Sequence, residues 1–288
     1  MKTKSFTLIE LLIVIVIIGV LSGIIIISTT SSIDKANFAK AQAFSNTVQN
    51  ELLGGLVSEW TFDNENNLGE DTWGNNDGVV NGNVSSRERD SCVYGKCVFF
   101  DGVVGSYIEV PTDPSLENMN EITISFWFKS LSTGTSQGPI SKIYGIKPFW
   151  SVWLGSNGRY VWETGDATTT YYKSSLANIF SYNEWHHLVV VQKGTTYTIY
   201  SNSEMKLSNS DGVNFPDSKS SRNLLIGSLT TSSYPFKGYL DDVRIYDSAL
   251  SLAQIKKEYI AGLNSLLING VIAQEEYNKK INTIAYEK

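Results

Sequence analysis

Histidine and cysteine are scarce: this chain of 288 residues holds two of each. Two cysteines, Cys92 and Cys97, are too few to close a structural zinc site, which takes four ligands. The two histidines are neighbours, His186 and His187. Adjacent residues of a strand point to opposite faces, so they cannot share one site, and packing is their expected role. Positive charge is also thin. Lys and Arg number 23 against 29 Asp and Glu, a formal net charge of −6, and the basic residues are dispersed. Nothing forms the stripe that neutralises phosphates, which excludes nucleic acid as a partner. What remains is ordinary for a folded chain: 42% hydrophobic and 18% charged residues, with 12% aromatic. Gly, Ser, Thr and Asn between short apolar runs favour an all-β body between two exceptional ends.

The first exception is Phe6 to Ser28, FTLIELLIVIVIIGVLSGIIIIS. As a helix it would be roughly 35 Å long, enough to cross a bilayer. Lys2 and Lys4 precede it and hold the N-terminus on the cytoplasmic side, which leaves the rest of the chain outside. A secretory signal would end in a small-residue cleavage site, and none follows Gly23. Glu10 sits inside the apolar run, where an ionised carboxylate costs on the order of 3 kcal/mol unless it finds a partner. Lys4-Ser5-Phe6-Thr7-Leu8-Ile9-Glu10-Leu11-Leu12-Ile13-Val14 closely resembles the class III signal and methylation motif of type IV pilins and pseudopilins. The resemblance implies cleavage by a prepilin peptidase between Ser5 and Phe6, N-methylation of Phe6, and pairing of Glu10 with the N-terminal amine of a neighbouring subunit. A buried amine and carboxylate satisfy each other and fix subunit register. Ser5 departs from the usual Gly. Ile27 stands near where many pilins carry a kinking Pro, with Gly19 and Gly23 as alternative sources of flexibility.

Apolar residues at Ile33, Ala36, Phe38, Ala41, Phe44, Val48 and Leu52 recur at helical spacing, so the helix is expected to continue outside the membrane until Gly54-Gly55 stops it. Short strands are predicted from Leu56 to Tyr246: LVSEWTF, KCVFF, SYIEV, EITISFWFK, FWSVWL, GRYVWET, EWHHLVVVQ, TYTIYS, RNLLIG and KGYLDDVRIY. About ten strands with polar connections imply a two-sheet sandwich. Bulk on both parities of Ile122 to Phe128 implies a strand covered on both faces.

In order along the chain, Trp60-Thr61-Phe62-Asp63, Asp71 to Gly78, Phe99-Phe100-Asp101-Gly102, Tyr107 to Pro111, Ile122 to Lys129, Trp185 to Val190 and Gly238 to Tyr246 resemble the laminin-G-like, concanavalin A-like jelly-roll family. The fold class is therefore mainly β: a long hydrophobic pilin-type helix, a two-sheet antiparallel jelly-roll sandwich and a C-terminal helical hairpin. The expected divisions are a leader peptide (1–5), a transmembrane and stem helix (6–55), the jelly roll (56–247) and the hairpin (248–288). In the hairpin, Ser251-x-x-Gln254 is a capping-box pattern. Leu252, Ile255, Tyr259, Leu263, Leu266 and Leu267 continue it, and after Asn269-Gly270 a second helix covers Ala273 to Ile284. Its apolar stripe must pack on something.

Cys92 and Cys97, outside the membrane, are expected to be bonded, closing a short loop worth about 2 kcal/mol. The resemblance implies a structural Ca²⁺ between the opening segment and the final strand, with Asp63, Asp71 (or Glu70) and Asp241 as ligands; the alternative is that these Asp residues simply make turns. Trp150, Trp153, Tyr160, Trp162, Tyr171 and Tyr172 are the densest aromatic region, suited either to the core or to a sugar platform. Relatives that hydrolyse glucans carry E-x-D-x-x-E on a strand, and no segment here has it, so no catalytic residue is assigned.

The expected function is a pilin-like subunit. Its helix assembles into a homo-oligomeric filament after insertion in the inner membrane and processing by prepilin peptidase, and its sandwich is displayed at the cell surface for adhesion to a glycan or protein. The alternatives are a pseudopilin of a type II secretion or DNA-uptake machine and, third, an anchored glycosidase.

Overall fold

A computed structural model describes residues 54–117, 119–144, 147–165, 170–174, 177–210 and 223–286. Internal contacts divide the chain into Met1–Thr47 and Val48–Lys288, and every described residue belongs to the second unit. Ser5, Phe6, Glu10 and the stem helix lie outside the described residues. Within them, no helix is long and apolar enough to cross a membrane.

The described strands are β1 (Leu56–Trp60), β2 (Val79–Asn81), β3 (Val84–Arg87), β4 (Cys97–Asp101), β5 (Tyr107–Val110), β6 (Glu121–Ser130), β7 (Gln137–Tyr144), β8 (Lys147–Leu154) and β9 (Tyr160–Gly165). They continue as β10 (Thr170–Ser174), β11 (His186–Lys193), β12 (Thr196–Ser201), β13 (Glu204–Asn209), β14 (Leu224–Ile226), β15 (Ser228–Thr230), β16 (Ser233–Pro235) and β17 (Lys237–Tyr246). Two described α-helices follow, α1 (Leu252–Ile268) and α2 (Gln274–Tyr286).

The first sheet runs β13-β12-β11-β6-β17-β4-β3, and the second runs β10-β9-β8-β7-β14-β5-β2. β17 holds the first sheet together, because Lys237 to Leu240 pair with β4 while Val243 to Tyr246 pair with β1. Residues of one parity fill the space between the sheets. Ile122, Ile124, Phe126 and Phe128 of β6 meet Trp150, Val152 and Leu154 of β8, and Tyr160 and Trp162 of β9. This is the alternation that sheet-on-sheet packing requires.

The other parity of the first sheet is buried too, beneath the helices. Trp127 joins Tyr259, Leu263 and Leu266 in a second cluster. Its ring stacks 5.7 Å from Tyr259. Helix α1 begins with the expected capping box at Ser251 and Gln254. It rides close to the sheet at Gly262, where an added Cβ would lie 2.1 Å from Trp127 Cζ2. Leu252, expected on the apolar stripe, instead stands 43% exposed at the first turn.

A charged network is sealed under α1. The Glu258 carboxylate accepts from Tyr246 Oη at 2.8 Å and Ser125 Oγ at 3.0 Å. Arg244 donates to it at 3.4 Å and pairs with Glu59 at 2.7 Å and Asp242 at 2.9 Å. Because Ser125 gives its one proton to Glu258, it accepts from His187 Nε2, 2.9 Å away. That fixes the Nε2–H tautomer, and His187 Nδ1 is buried without a partner among the described residues. Burial drives the His187 pKa down to about 3 and that of His186 to about 4, so both rings are neutral at physiological pH. Their side chains occupy opposite faces, His187 stacked on Trp127 and His186 on Phe128. Asp242 sits at a bulge in β17 with φ +53°. Burial, the largest influence, pushes it up to about 7 against the pull of Arg244.

Candidate functional site

The outward parity of the second sheet carries a different set of side chains. Ser151 of β8 lies in register with Glu163 of β9 and with Ser141 of β7. Successive strand residues alternate faces, so Trp153 shares the face of Ser151 while Trp150 and Trp162 turn into the core. Glu163 is 1% exposed on this outer face. Its Oε2 accepts from Ser151 Oγ at 2.8 Å and from Trp153 Nε1 at 2.7 Å. A carboxylate held by an indole N–H and a hydroxyl fixes the Trp153 ring in one orientation.

The β15–β16 hairpin is laid over the same face. Ser141 Oγ donates to the carbonyls of Leu229 at 2.8 Å and Ser228 at 3.0 Å. From this hairpin Tyr234 reaches a ring centroid 5.2 Å from that of Trp153. Tyr234 is 45% exposed and has φ +57°, a conformation an aromatic residue rarely adopts. Two aromatic rings, one on the sheet and one on the hairpin, thus present polar-edged surface above a buried carboxylate. Such surfaces stack on the apolar faces of saccharide rings while polar groups fix orientation.

Of the six aromatics singled out by sequence, Trp150, Tyr160 and Trp162 fill the core and Trp153 forms this face. The side chains of Tyr171 and Tyr172 lie outside the described residues. Glu163 and Tyr234 were not foreseen. Glu163 has a readable signal, the parity opposite to Trp162, whereas the left-handed backbone of Tyr234 has none. Along the row Glu163, Ser151, Ser141, Leu225, Glu109 the two carboxylates are four strands apart, about 19 Å at the usual strand spacing. A glycosidase pair stands within about 10 Å.

Cys92 and Cys97 are disulfide-bonded, as expected. The carboxylates expected to hold calcium are deployed as follows. Asp71 Oδ1 accepts the backbone N–H groups of Glu59, Trp73 and Gly74 at 2.9, 3.1 and 2.9 Å. Its Oδ2 accepts that of Asn76 at 2.9 Å. Both oxygens are therefore occupied in shaping the loop after β1. Asp241 Oδ2 accepts from Val93 and Tyr94 inside the disulfide loop, at 2.8 and 2.9 Å, and Oδ1 is buried without a partner among the described residues. Asp63 accepts the Lys96 N–H of that loop at 2.6 Å. Burial first, then the charge of Asp242, raises the Asp241 pKa well above the usual range, and Asp63 adds to it. The structure thus brings Asp63 and Asp241 to one loop and gives Asp71 another task. Among the described residues no three His, Cys, Asp or Glu side chains gather as a metal centre.

Residues 101–256 match the family profile described as the concanavalin A-like lectin/glucanases superfamily. Residues 1–26 match the prokaryotic N-terminal methylation motif. Among solved structures, domain 4 of AbnA, a GH43 extracellular arabinanase from Geobacillus stearothermophilus, in complex with arabinotriose, is 24% identical with a TM-score of 0.56, over 70% of this chain and 96% of that one. The binding domain of Paraclostridial Mosquitocidal Protein 1 is 18% identical with a TM-score of 0.58, over 73% of this chain and 53% of that one. The botulinum neurotoxin serotype D binding domain is 18% identical with a TM-score of 0.56, over 73% and 52%. The chain thus spans about half the length of these toxin domains, and at such identity the likeness is one of fold. Comparison with curated protein sequences returns no match. Behind an N-terminal methylation motif of the type IV pilin kind, this chain belongs to the concanavalin A-like lectin/glucanases superfamily.

Proposed function

We propose that this protein is a pilin-like subunit that displays a saccharide-binding jelly roll at the cell surface. On this reading prepilin peptidase cuts between Ser5 and Phe6, Phe6 is methylated, and Glu10 pairs with a neighbouring N-terminal amine as the subunits leave the membrane for a filament. The methylation motif supports the assembly half. The binding half rests on one observation, the Trp153–Tyr234 aromatic pair over the buried Glu163 carboxylate. Arabinotriose in the AbnA domain complex and the toxin binding domains are consistent with a face that binds rather than cleaves. The 19 Å estimate between Glu163 and Glu109 argues in the same direction.

The test is binding of the full chain, in detergent, to a panel of neutral oligosaccharides that includes arabinotriose. Tyr234→Ala and Trp153→Leu should each weaken a bound saccharide by about tenfold, the loss of one stacking ring. Equal binding by wild type and both variants would move the ligand off this face, and no binding by any member would reject the saccharide reading.

A further inference from the structure

A cavity of about 370 Å³ lies away from the aromatic face, between α2, α1 and the turn joining β12 to β13. We propose that it binds a small zwitterion of the amino-acid class, a ligand carrying one ammonium and one carboxylate. Its size is that of a small-molecule site. Two charged pairs belong to its surroundings. Glu276 and Lys280 neutralise each other at 3.4 Å, as do Glu204 and Lys206 at 2.5 Å. One anion and one cation are left over, because the side chains of Glu184 and Lys279 line the cavity and make no hydrogen bond or ion pair among the described residues.

Filling the cavity takes water from both of those charges. A neutral ligand would leave each desolvated without compensation, whereas a zwitterion gives Glu184 an ammonium and Lys279 a carboxylate. The floor supplies hydroxyl groups. Tyr259, whose ring packs against both Trp127 and His187, lines the cavity, and its hydroxyl has no partner among the described residues. Ser203 is 2% exposed, lines the same space and makes no side-chain hydrogen bond among the described residues. Ser203 also has φ +64°, following Asn202 at φ +54°, where glycine would be relaxed. Serine at that position keeps a hydroxyl on the cavity floor at the expense of backbone strain.

The experiment is calorimetric titration of the full chain in detergent with L-amino acids one at a time, with ethanolamine and lactate as single-charge controls. At least one amino acid should bind with a Kd below about 10 mM, and both controls should bind at least about tenfold more weakly. Glu184→Gln and Lys279→Met, both at exposed positions, should each weaken that binding by about tenfold. Ser203→Gly separates ligand contact from folding: relief of the left-handed strain should leave thermal stability equal or higher while the affinity falls. The proposal is overturned if no amino acid binds in that range, if ethanolamine or lactate binds as well as the zwitterion, or if the substitutions leave affinity unchanged. None of these outcomes bears on saccharide binding at Trp153 and Tyr234.

Discussion

Replacing Glu258 tests whether the C-terminal helices are part of the folded body rather than an appendage. This carboxylate is 2% exposed and receives Tyr246 and Ser125 at 2.8 and 3.0 Å, with Arg244 at 3.4 Å. Glu258→Ala leaves two neutral donors buried without an acceptor, at about 1–3 kcal/mol each. Arg244 keeps Glu59 and Asp242, so its charge stays compensated and adds little to the loss. The expected cost is about 4 kcal/mol, within the range for breaking a buried pair. Glu258→Gln keeps an acceptor for Tyr246 and should cost about half as much. The assay is denaturant unfolding of the solubilised full chain followed by tryptophan fluorescence, which reports on Trp127 against the same helix. A loss below about 1 kcal/mol for the alanine variant would mean that water reaches the network and that α1 is not sealed onto the sheet.

Three further outcomes follow from the same geometry. His187 has a folded pKa near 3 against about 6.5 unfolded, so the stability of the neutral form is present above pH 6.5 and lost as pH falls. Wild type should therefore lose ground to His187→Gln by about 1.4 kcal/mol per pH unit between pH 6 and 4 in parallel melts, and a constant gap would contradict the burial. Cys92→Ala with Cys97→Ala should cost about 2 kcal/mol by denaturation, because Asp241 and Asn269 still hold the loop through Val93, Tyr94 and Cys92. A cost of more than about 5 kcal/mol would mean the loop cannot stand without its bond. Asp71→Asn should lower the melting temperature equally in EDTA and in calcium chloride, since Asp71 accepts backbone N–H groups. A loss seen only with calcium would make Asp71 a ligand.

Sequence reading recovered what periodicity and order carry. KGYLDDVRIY and TYTIYS are strands over the spans expected, and EITISFWFK falls one residue short. The bulk on both faces of β6 anticipated the helices that cover Trp127. Strands β2, β3, β7, β10, β13, β15 and β16 were missed, β7 and β13 for separate reasons. Gly138 and Pro139 interrupt QGPISKIY, and the edge strand EMKLSN has no fully buried residue to create a pattern. In the aromatic region parity separates Trp153 from Trp150 and Trp162, but composition alone could not say which parity faced the core. Tyr234 joins Trp153 only through the hairpin folded over Ser141, a contact 81 residues apart in sequence that no local pattern encodes. Asp71 answers to the turn that follows it and to Glu59, 12 residues back, while Asp241 meets a loop 147 residues away, and neither set of partners is written in a local pattern.

The most direct test of the account is N-terminal mass spectrometry of the chain in the fraction sheared from cells that express it with its own prepilin peptidase. The expected result is a mature chain beginning at methylated Phe6 in the sheared fraction, sharply depleted when Glu10 is replaced by Ala. A chain that stays with the cells and still carries Met1 to Ser5 would contradict assembly and leave only a membrane-tethered jelly roll.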